Sequence, residues 1–434
     1  MTNIGDTFSD NTTITSFDEL DKFGVTSLSD TSGRGVFQNC PNLVSVDLSR
    51  ITKISDNTFI NCVSFAGNGN GDLEIPNLTS IGAQSFCGFN TVSCYGIKRI
   101  LDLGSITTIP DGYNDYSGTF RNQRNLTDVY LPQELISIGR GCFQGCTSLV
   151  NIELPNGLTK IGMAAFHNCE KLSTINLPKS ITTIGERAFM SDAKLSIVIN
   201  LPNLETLGRD AFCGYAYGDH TCGITGIENL GHITSIIDSS NSYGGCFRRC
   251  VNLTYANLPE TLTNIGNFAF SDCSILASVN FPSAIASIGN SAFANCSSLN
   301  VDINLPNCTS IGNSAFANCS SLVEFTDPIS NCTYESSCFT NCTSLTKINI
   351  SDNEKWFRNT FKSDTANPLR YAKNFYINNE LVDTMRVPSD LTTIGNYVLY
   401  GWNGTTVDFG DSSIETIDSY AFRDCTNLTN CNIP

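Results

Sequence analysis

A phenylalanine returns every 23 residues through much of this chain, at Phe143, Phe166, Phe189 and Phe212, and again at Phe247, Phe270, Phe293, Phe316 and Phe339. In clean copies it is preceded by Ile-Gly and followed three residues later by cysteine. Self-similarity at a fixed period of this size is the mark of stacked units in a solenoid. Each unit reads L-P-x-x-L-T-x-I-G-x-x-A-F-x-N-C-x-S-L-x-x-I-x-L-P, and Leu154-Pro155 to Leu177-Pro178 is a clean copy. Counted on the phenylalanine there are fifteen units: Phe37, Phe59, Phe86, Phe120, the nine above, Leu399 as a degenerate copy, and Phe422.

Each unit offers two short extended segments. In Leu172-Ser173-Thr174-Ile175-Asn176-Leu177 apolar residues alternate, so Ile175 and Leu177 point inward and Asn176 outward, and Pro178 ends the strand. The glycine after each isoleucine fits a turn that needs positive φ or close backbone approach. The phenylalanine closes the coil as its main core residue. One coil cannot bury its own apolar face, whereas a stack with strands about 4.8 Å apart builds a continuous core, so fifteen coils predict a rod or arc about 70 Å long. A repeat array of this kind is one elongated domain even at 434 residues.

The chain carries a formal charge of -16 with only 15% charged residues. An acidic surface without a Lys/Arg cluster repels phosphate backbones, which argues against nucleic acid and anionic membranes as partners. No apolar run reaches the roughly 18 residues of a membrane span, and Met1-Thr2-Asn3-Ile4-Gly5 has neither a basic nor an apolar leader region. The expectation is a chain that has lost its signal or leaves its maker without one.

Ten of the twenty cysteines (Cys40, Cys62, Cys146, Cys169, Cys250, Cys273, Cys296, Cys319, Cys342, Cys425) share one repeat position. Stacked, they form a column of buried thiols that pack as small hydrophobes. Cys142, Cys246 and Cys338 lie four residues before a column cysteine; no histidine or second CxxC accompanies them, so packing is expected rather than metal. Cys87 with Cys94, and Cys213 with Cys222, sit in lengthened units and are the candidate disulfides.

The regular beat fails at three places. Phe86 to Phe120 is 34 residues and Phe212 to Phe247 is 35, and Phe86-Cys87-Gly88-Phe89 corresponds to Phe212-Cys213-Gly214-Tyr215, which suggests that a block of about five coils was duplicated. Phe339 to Leu399 is 60 residues and rich in aromatics, from Trp356, Phe357 and Phe361 to Tyr371, Phe375 and Tyr376; Asn378-Asn379 favours a tight hairpin. The chain therefore divides into an arm with a short capping helix over 1–24, a solenoid over 25–350, a helix and hairpin insert over 351–386, and terminal repeats over 387–434. Ser16-Phe17-Asp18-Glu19 has capping-box form and predicts that helix, while residues 1–15 read as a polar, loosely ordered tail or arm.

Catalytic chemistry is poorly supported and no cofactor is implied. His220 and His232 share a lengthened loop with Asp219, Cys222 and Asp238, but their spacing matches no metal signature. Asp111-Gly112-Tyr113-Asn114-Asp115 resembles a calcium loop without its later bidentate glutamate. Twelve Asn-x-Ser/Thr sequons, Asn295, Asn318 and Asn341 among them, follow the repeat and reflect it rather than glycosylation. The outward strand column runs Asp47, Glu74, Asp102, Tyr130, Glu153, Asn176, Asn200, Asn229, Asn257, Asn280, Asn304, Thr326 and Asn349. Stacked amides in its middle can bond one another. Alternatively, Tyr130 to Asn304 make a flat, uncharged, hydrogen-bonding face for a protein or glycan.

The units Ile161-Gly162-Met163-Ala164-Ala165-Phe166-His167-Asn168-Cys169 and Ile288-Gly289-Asn290-Ser291-Ala292-Phe293-Ala294-Asn295-Cys296 resemble the BspA-type leucine-rich repeat, over nearly the whole chain. The resemblance implies a leucine-rich-repeat solenoid and a role in adhesion or recognition, since the family is associated with surface proteins of gut and oral bacteria, of mucosal protozoa and of some gut phages. Two functions follow as expectations: a non-enzymatic protein that binds a protein or glycan on a host or neighbouring surface through the sheet face or the lengthened loops, or a structural virion part, a fibre or decoration subunit, associating through residues 1–15 and the C-terminal edge. Cell-surface, extracellular or virion locations are the places implied.

Overall fold

The computed structural model describes residues 4–29, 33–115, 117–214, 221–238, 244–328, 331–431 and 433. The chain forms two compact units, 1–224 and 225–434. Each is a β-solenoid of parallel two- to four-residue strands, and together they make about 17 turns.

The repeat dictates the coil. Ile138, Ile161, Ile184 and Leu207 end strands that pair in parallel, in register, to make a five-stranded sheet with Thr108–Ile109 at its edge. In the second unit Ser235–Ile236 through Thr360–Phe361 build the matching six-stranded sheet. After each strand comes the glycine, and its role is close approach. A Cβ on Gly185 would lie 2.4 Å from the Met163 nitrogen, and one on Gly289 2.6 Å from the Asn267 nitrogen. Positive φ falls instead two residues either side of the phenylalanine, at Ala164 (51°) and Asn168 (62°) around Phe166, and at Ser291 (53°) and Asn295 (65°) around Phe293. These two left-handed residues fold the chain tightly around the ring and turn its amides toward the next coil: Ala164, Phe166 and Asn168 donate to the carbonyls of Glu186, Ala188 and Met190 at 2.8, 2.8 and 3.0 Å.

The rings stack in column. From Phe37 to Phe212 consecutive centroids lie 5.1–5.6 Å apart, and from Phe247 to Phe339 5.2–5.6 Å. Burying each ring contributes about 1.5–3 kcal/mol, and each stacked pair adds about 0.5–1.5 kcal/mol. The column thiols are not merely space-filling. Cys169 donates to the Phe143 carbonyl at 3.2 Å, Cys296 to Phe270 at 3.2 Å and Cys425 to Leu399 at 2.9 Å, so the thiol satisfies a carbonyl one coil back. Burial pushes the Cys146 and Cys342 thiols up to about 12, which keeps the donor proton in place. In the Phe120 coil Gln123 replaces the cysteine and its amide donates to the Phe86 carbonyl.

Several expectations need correction. The N-terminal residues are no loose arm: Phe8 stacks on Phe37 at 5.4 Å, its carbonyl accepts the Cys40 thiol at 3.0 Å, and Asp10 holds φ 61°, so residues 4–15 form one more coil turn. The capping helix shrinks to the three-residue 3-10 turn Asp21–Phe23, because Ser16–Phe17 pairs as a parallel strand with Ser45–Val46 and Glu19 bonds Lys22 at 2.8 Å rather than capping backwards. Cys87, Cys94 and Cys222 carry thiols rather than disulfide sulfurs, so neither candidate disulfide is formed. Cys94 instead bridges in parallel to Gln123 and so fills the thiol column at the end of the first lengthened loop.

In the insert, Leu369–Ala372 is a single helical turn and Phe375–Ile377 pairs antiparallel with Glu380–Val382 across Asn378-Asn379, both at positive φ. The insert continues the solenoid rather than packing beside it: Phe375–Ile377 runs parallel to Lys347–Asn349, and Thr360–Phe361 to Thr333–Tyr334. Trp356, Phe357, Phe361 and Phe375 fill its core, with Trp356 donating to the Val398 carbonyl at 2.6 Å, while Tyr371 and Tyr376 are half-buried.

Candidate functional site

The outward strand face is exposed as expected at Tyr130, Glu153, Asn176, Asn257, Asn280 and Asn304, while Asn200 and Asn229 are half-buried. In the first unit Tyr130 bridges in parallel to Glu153, which pairs with Asn176. In the second Asn257 pairs with Asn280, and Asn304 with Thr326.

The asparagines do not form an unbroken ladder. Asn176 and Asn280 each strap the coil before: Leu154 N donates to Asn176 Oδ1 at 2.8 Å while Asn176 Nδ2 donates to the Leu154 carbonyl at 3.1 Å, and Asn280 does the same to Leu258 at 2.5 and 3.1 Å. Asn229 instead accepts from Gly231 N at 2.8 Å. The sheet is interrupted between Asn280 and Asn304, because the segment from Leu299 to Asn304 has gained one residue and the turn after Leu305-Pro306 has lost one. The phenylalanine beat survives this slip, and the strand register does not. A true amide ladder stands elsewhere, at the left-handed turn residue: Asn318 donates to Asn295 at 2.7 Å and Asn341 to Asn318 at 2.8 Å, which ties up three of the sequon asparagines.

A hollow of about 200 Å³ opens on this face, lined by Asp128, Tyr130, Gln133, Asn151 and Glu153 and bordered by the buried residues Val129, Leu131 and Ile152. Tyr130 is 62% exposed at its rim. A second, of about 410 Å³, is edged by Asp18, Asp47 and Glu74. Asp128 and Gln133 were not evident as site residues; their only signal is adjacency to a tyrosine in a column otherwise held by Asp, Glu, Asn and Thr. Nearby Arg99 grips Asp72 with two bonds of 2.7 and 2.6 Å and holds its carboxyl below the usual range.

The chemical candidates dissolve on inspection. Asp219 and His220 lie outside the described residues, as does Tyr215. His232 is solvent-exposed, and among the described residues no group of three or more His, Cys, Asp or Glu side chains is placed to hold a metal ion. In the would-be calcium loop Asp111 accepts from Arg140 N at 2.7 Å and from Lys160 Nζ at 3.2 Å, while Tyr113 donates to Asp56, so its carboxylate is already neutralised. Cys338 is buried among backbone carbonyls, at 3.3 and 3.4 Å from those of Gly312 and Ile311. One polar cluster escaped sequence reasoning. Asp327 occupies the leucine position of Leu-Pro, fully buried, and accepts from Tyr334 at 2.8 Å and Asn359 at 3.0 Å; burial pushes its carboxyl up to about 7.

The family model for the BspA type leucine rich repeat region matches residues 116–236, 241–367 and 372–434, in six copies. The chain belongs to this family. No curated protein sequence matches it. Among solved structures it is similar to a leucine-rich repeat protein from Bacteroides ovatus, with 19% identity over 89% of this chain and 81% of that one and a TM-score of 0.42. It is also similar to a leucine rich cell surface protein from Faecalibacterium prausnitzii (24% identity, 71% and 87% coverage, TM-score 0.39) and to the pneumococcal vaccine antigen PcpA (19%, 78% and 84%, TM-score 0.38). Leucine-rich repeat solenoids generally mediate protein binding, and BspA-type members are repeat proteins of cell surfaces. Among the described residues no helix is long and apolar enough to cross a membrane.

Proposed function

We propose that this chain is a non-enzymatic recognition protein, acting on a cell or virion surface, that engages a protein or glycan through its outward strand face. The observation that carries this reading is the hollow beside Tyr130 and Glu153. It sets an exposed aromatic ring among carboxylates and amides, on a sheet whose backbone is fixed by coil-to-coil hydrogen bonds. A large rigid aromatic beside a few polar groups is the composition of binding hot spots. Pre-organisation by the solenoid reduces the ordering cost of association.

The test is binding of the whole soluble protein to intact gut bacteria, mucin, matrix protein and a glycan array. The double variant Tyr130→Ser/Glu153→Gln is expected to lose at least tenfold in affinity without loss of fold. Absence of binding to every surface, or full binding by the double variant, would remove the support for this site.

A further inference from the structure

In the unit spanning 225–434 two cysteines meet away from the thiol column. At the leucine of Leu-Thr-x-Ile, where Leu158, Ile181, Leu262 and Ile285 are fully buried, the next coil carries Cys308, and the coil after that brings Cys332 into the core beside it. The backbone places the two on neighbouring strands. Ser310–Ile311 pairs in parallel with Thr333–Tyr334, and the residues that directly follow the cysteines are bonded to each other, Thr333 N donating to the Thr309 carbonyl at 3.0 Å. Paired strands run about 4.8 Å apart, inside the Cα separation of roughly 4.4–6.8 Å that a disulfide spans. In a regular coil one carbonyl takes two N–H groups here, as Thr159 does from Thr182 and Thr183 at 2.9 and 3.1 Å. The Cys332 N–H goes instead to Asn359 Oδ1 at 3.0 Å, while Asn359 Nδ2 holds Asp327, and this draws Cys332 off the strand line with its side chain inward.

The pair differs from the column in what its protons do. Cys296, Cys319 and Cys342 each donate to a phenylalanine carbonyl one coil back at 3.2 Å, so each proton is engaged, and burial pushes the Cys319 and Cys342 thiols up. The Cys332 thiol donates to the Cys308 sulfur, which holds Cys308 below the usual thiol range while Cys332 is raised. A sulfur stabilised as thiolate by a neighbouring thiol is the attacking half of a dithiol. We propose that Cys308 and Cys332 form a redox-active pair that closes to a coil-to-coil disulfide when the chain meets a low-molecular-weight disulfide such as oxidised glutathione. The Cys308 thiolate attacks one sulfur of the reagent, breaking its S–S bond and releasing one thiolate. Cys332, as thiolate, then attacks the Cys308 sulfur of the mixed disulfide and releases the second. The two protons of the protein thiols pass to the two released thiolates, so two protein thiols are oxidised and one small disulfide is reduced. The closed bond staples the coil that begins at Asp327 to the coil before it. It is a clamp set outside a reducing cytosol, and it does not depend on what the chain binds.

The full reduced chain is incubated without denaturant in oxidised glutathione, quenched with acid at intervals, alkylated and mapped as non-reduced peptides by mass spectrometry. A peptide linked through Cys308 and Cys332 is expected, forming about tenfold faster than any link among Cys273, Cys296 and Cys319. Dithiothreitol should reverse it, and the linked chain should melt several degrees higher than the reduced one, since the bond restricts the unfolded chain. Cys308→Ser should abolish the link and leave Cys332 as a mixed disulfide or a thiol, with circular dichroism checking that the variant folds. The parent's own peptide map decides the matter even where that variant does not fold. The proposal is overturned if the native chain gives no such link, if the link appears only once denaturant is added, if column thiols link as fast, or if the linked chain melts lower than the reduced one. Binding to bacteria, mucin or glycans is read separately, so failure of the clamp leaves the proposed function standing, and failure of binding leaves the clamp.

Discussion

At the phenylalanine turn the coils around Phe166 and Phe293 are interchangeable: their left-handed residues agree within 3° and their column thiols reach the preceding coil at the same 3.2 Å. At the outward strand they part. Thr174–Asn176 is three residues long and pairs with Asn151–Glu153, whereas Ile303–Asn304 has two residues and begins a new sheet. The turn is constrained by packing on every side, so a change in one coil must be matched by both neighbours. The strand packs on the core with one face and meets water on the other, so its outer residues tolerate a slip and are free to vary.

Substitutions should respect that division. Phe166→Ala, which opens a void between Phe143 and Phe189, should cost about 3–5 kcal/mol in chemical denaturation; a loss below about 1 kcal/mol would mean the ring column is dispensable. Asp327 tests whether the strand end can hold a core charge. Its carboxyl titrates higher in the folded chain, about 7 against 3.8, so folding favours the protonated form; its contribution is complete below pH 4 and lost as pH rises through 7. The slope cannot exceed about 1.4 kcal/mol per pH unit, and Asp327→Asn should flatten the stability profile over that window. Gly185→Ala drives a Cβ into the backbone of the coil before and should cost about 1–3 kcal/mol by thermal melting. The same change at Gly157, which has nothing within 4 Å, should be nearly silent. Asn176→Ala removes a strap of two hydrogen bonds and should cost only about 0.5–1.5 kcal/mol. A strand substitution as damaging as Phe166→Ala would erase the distinction between the two sides.

Much of the turn was legible because its constraint is periodic. Phe166, Cys169 and Gly162 announce themselves by recurrence, and the parallel stack follows from one coil's inability to bury its own face. Recurrence could not say which residue goes left-handed, since Ala164, Ser291 and Arg187 share no chemistry and only the fold around the ring demands that φ. It also hid Phe8, which stands 29 residues from Phe37, and it misread Ser16–Phe17, where a capping-box pattern lost to pairing with a strand it could not foresee. The strand face was legible as a column of outward residues but not as a surface. Whether Asn176 bonds a neighbouring amide or a neighbouring backbone depends on an offset of a few ångströms that no one-dimensional pattern contains.

The thiol, amide and ring contacts of a regular coil all point to the coils immediately before and after it. The molecule's length is therefore quantised: a deletion of one full period, such as residues 155–177, rejoins Leu154 to Pro178 and leaves every column closed. Removing one residue fewer would put each later side chain out of step with its stack. Such a protein can grow or shrink by duplication and loss of whole turns, without the remaining coils being rebuilt.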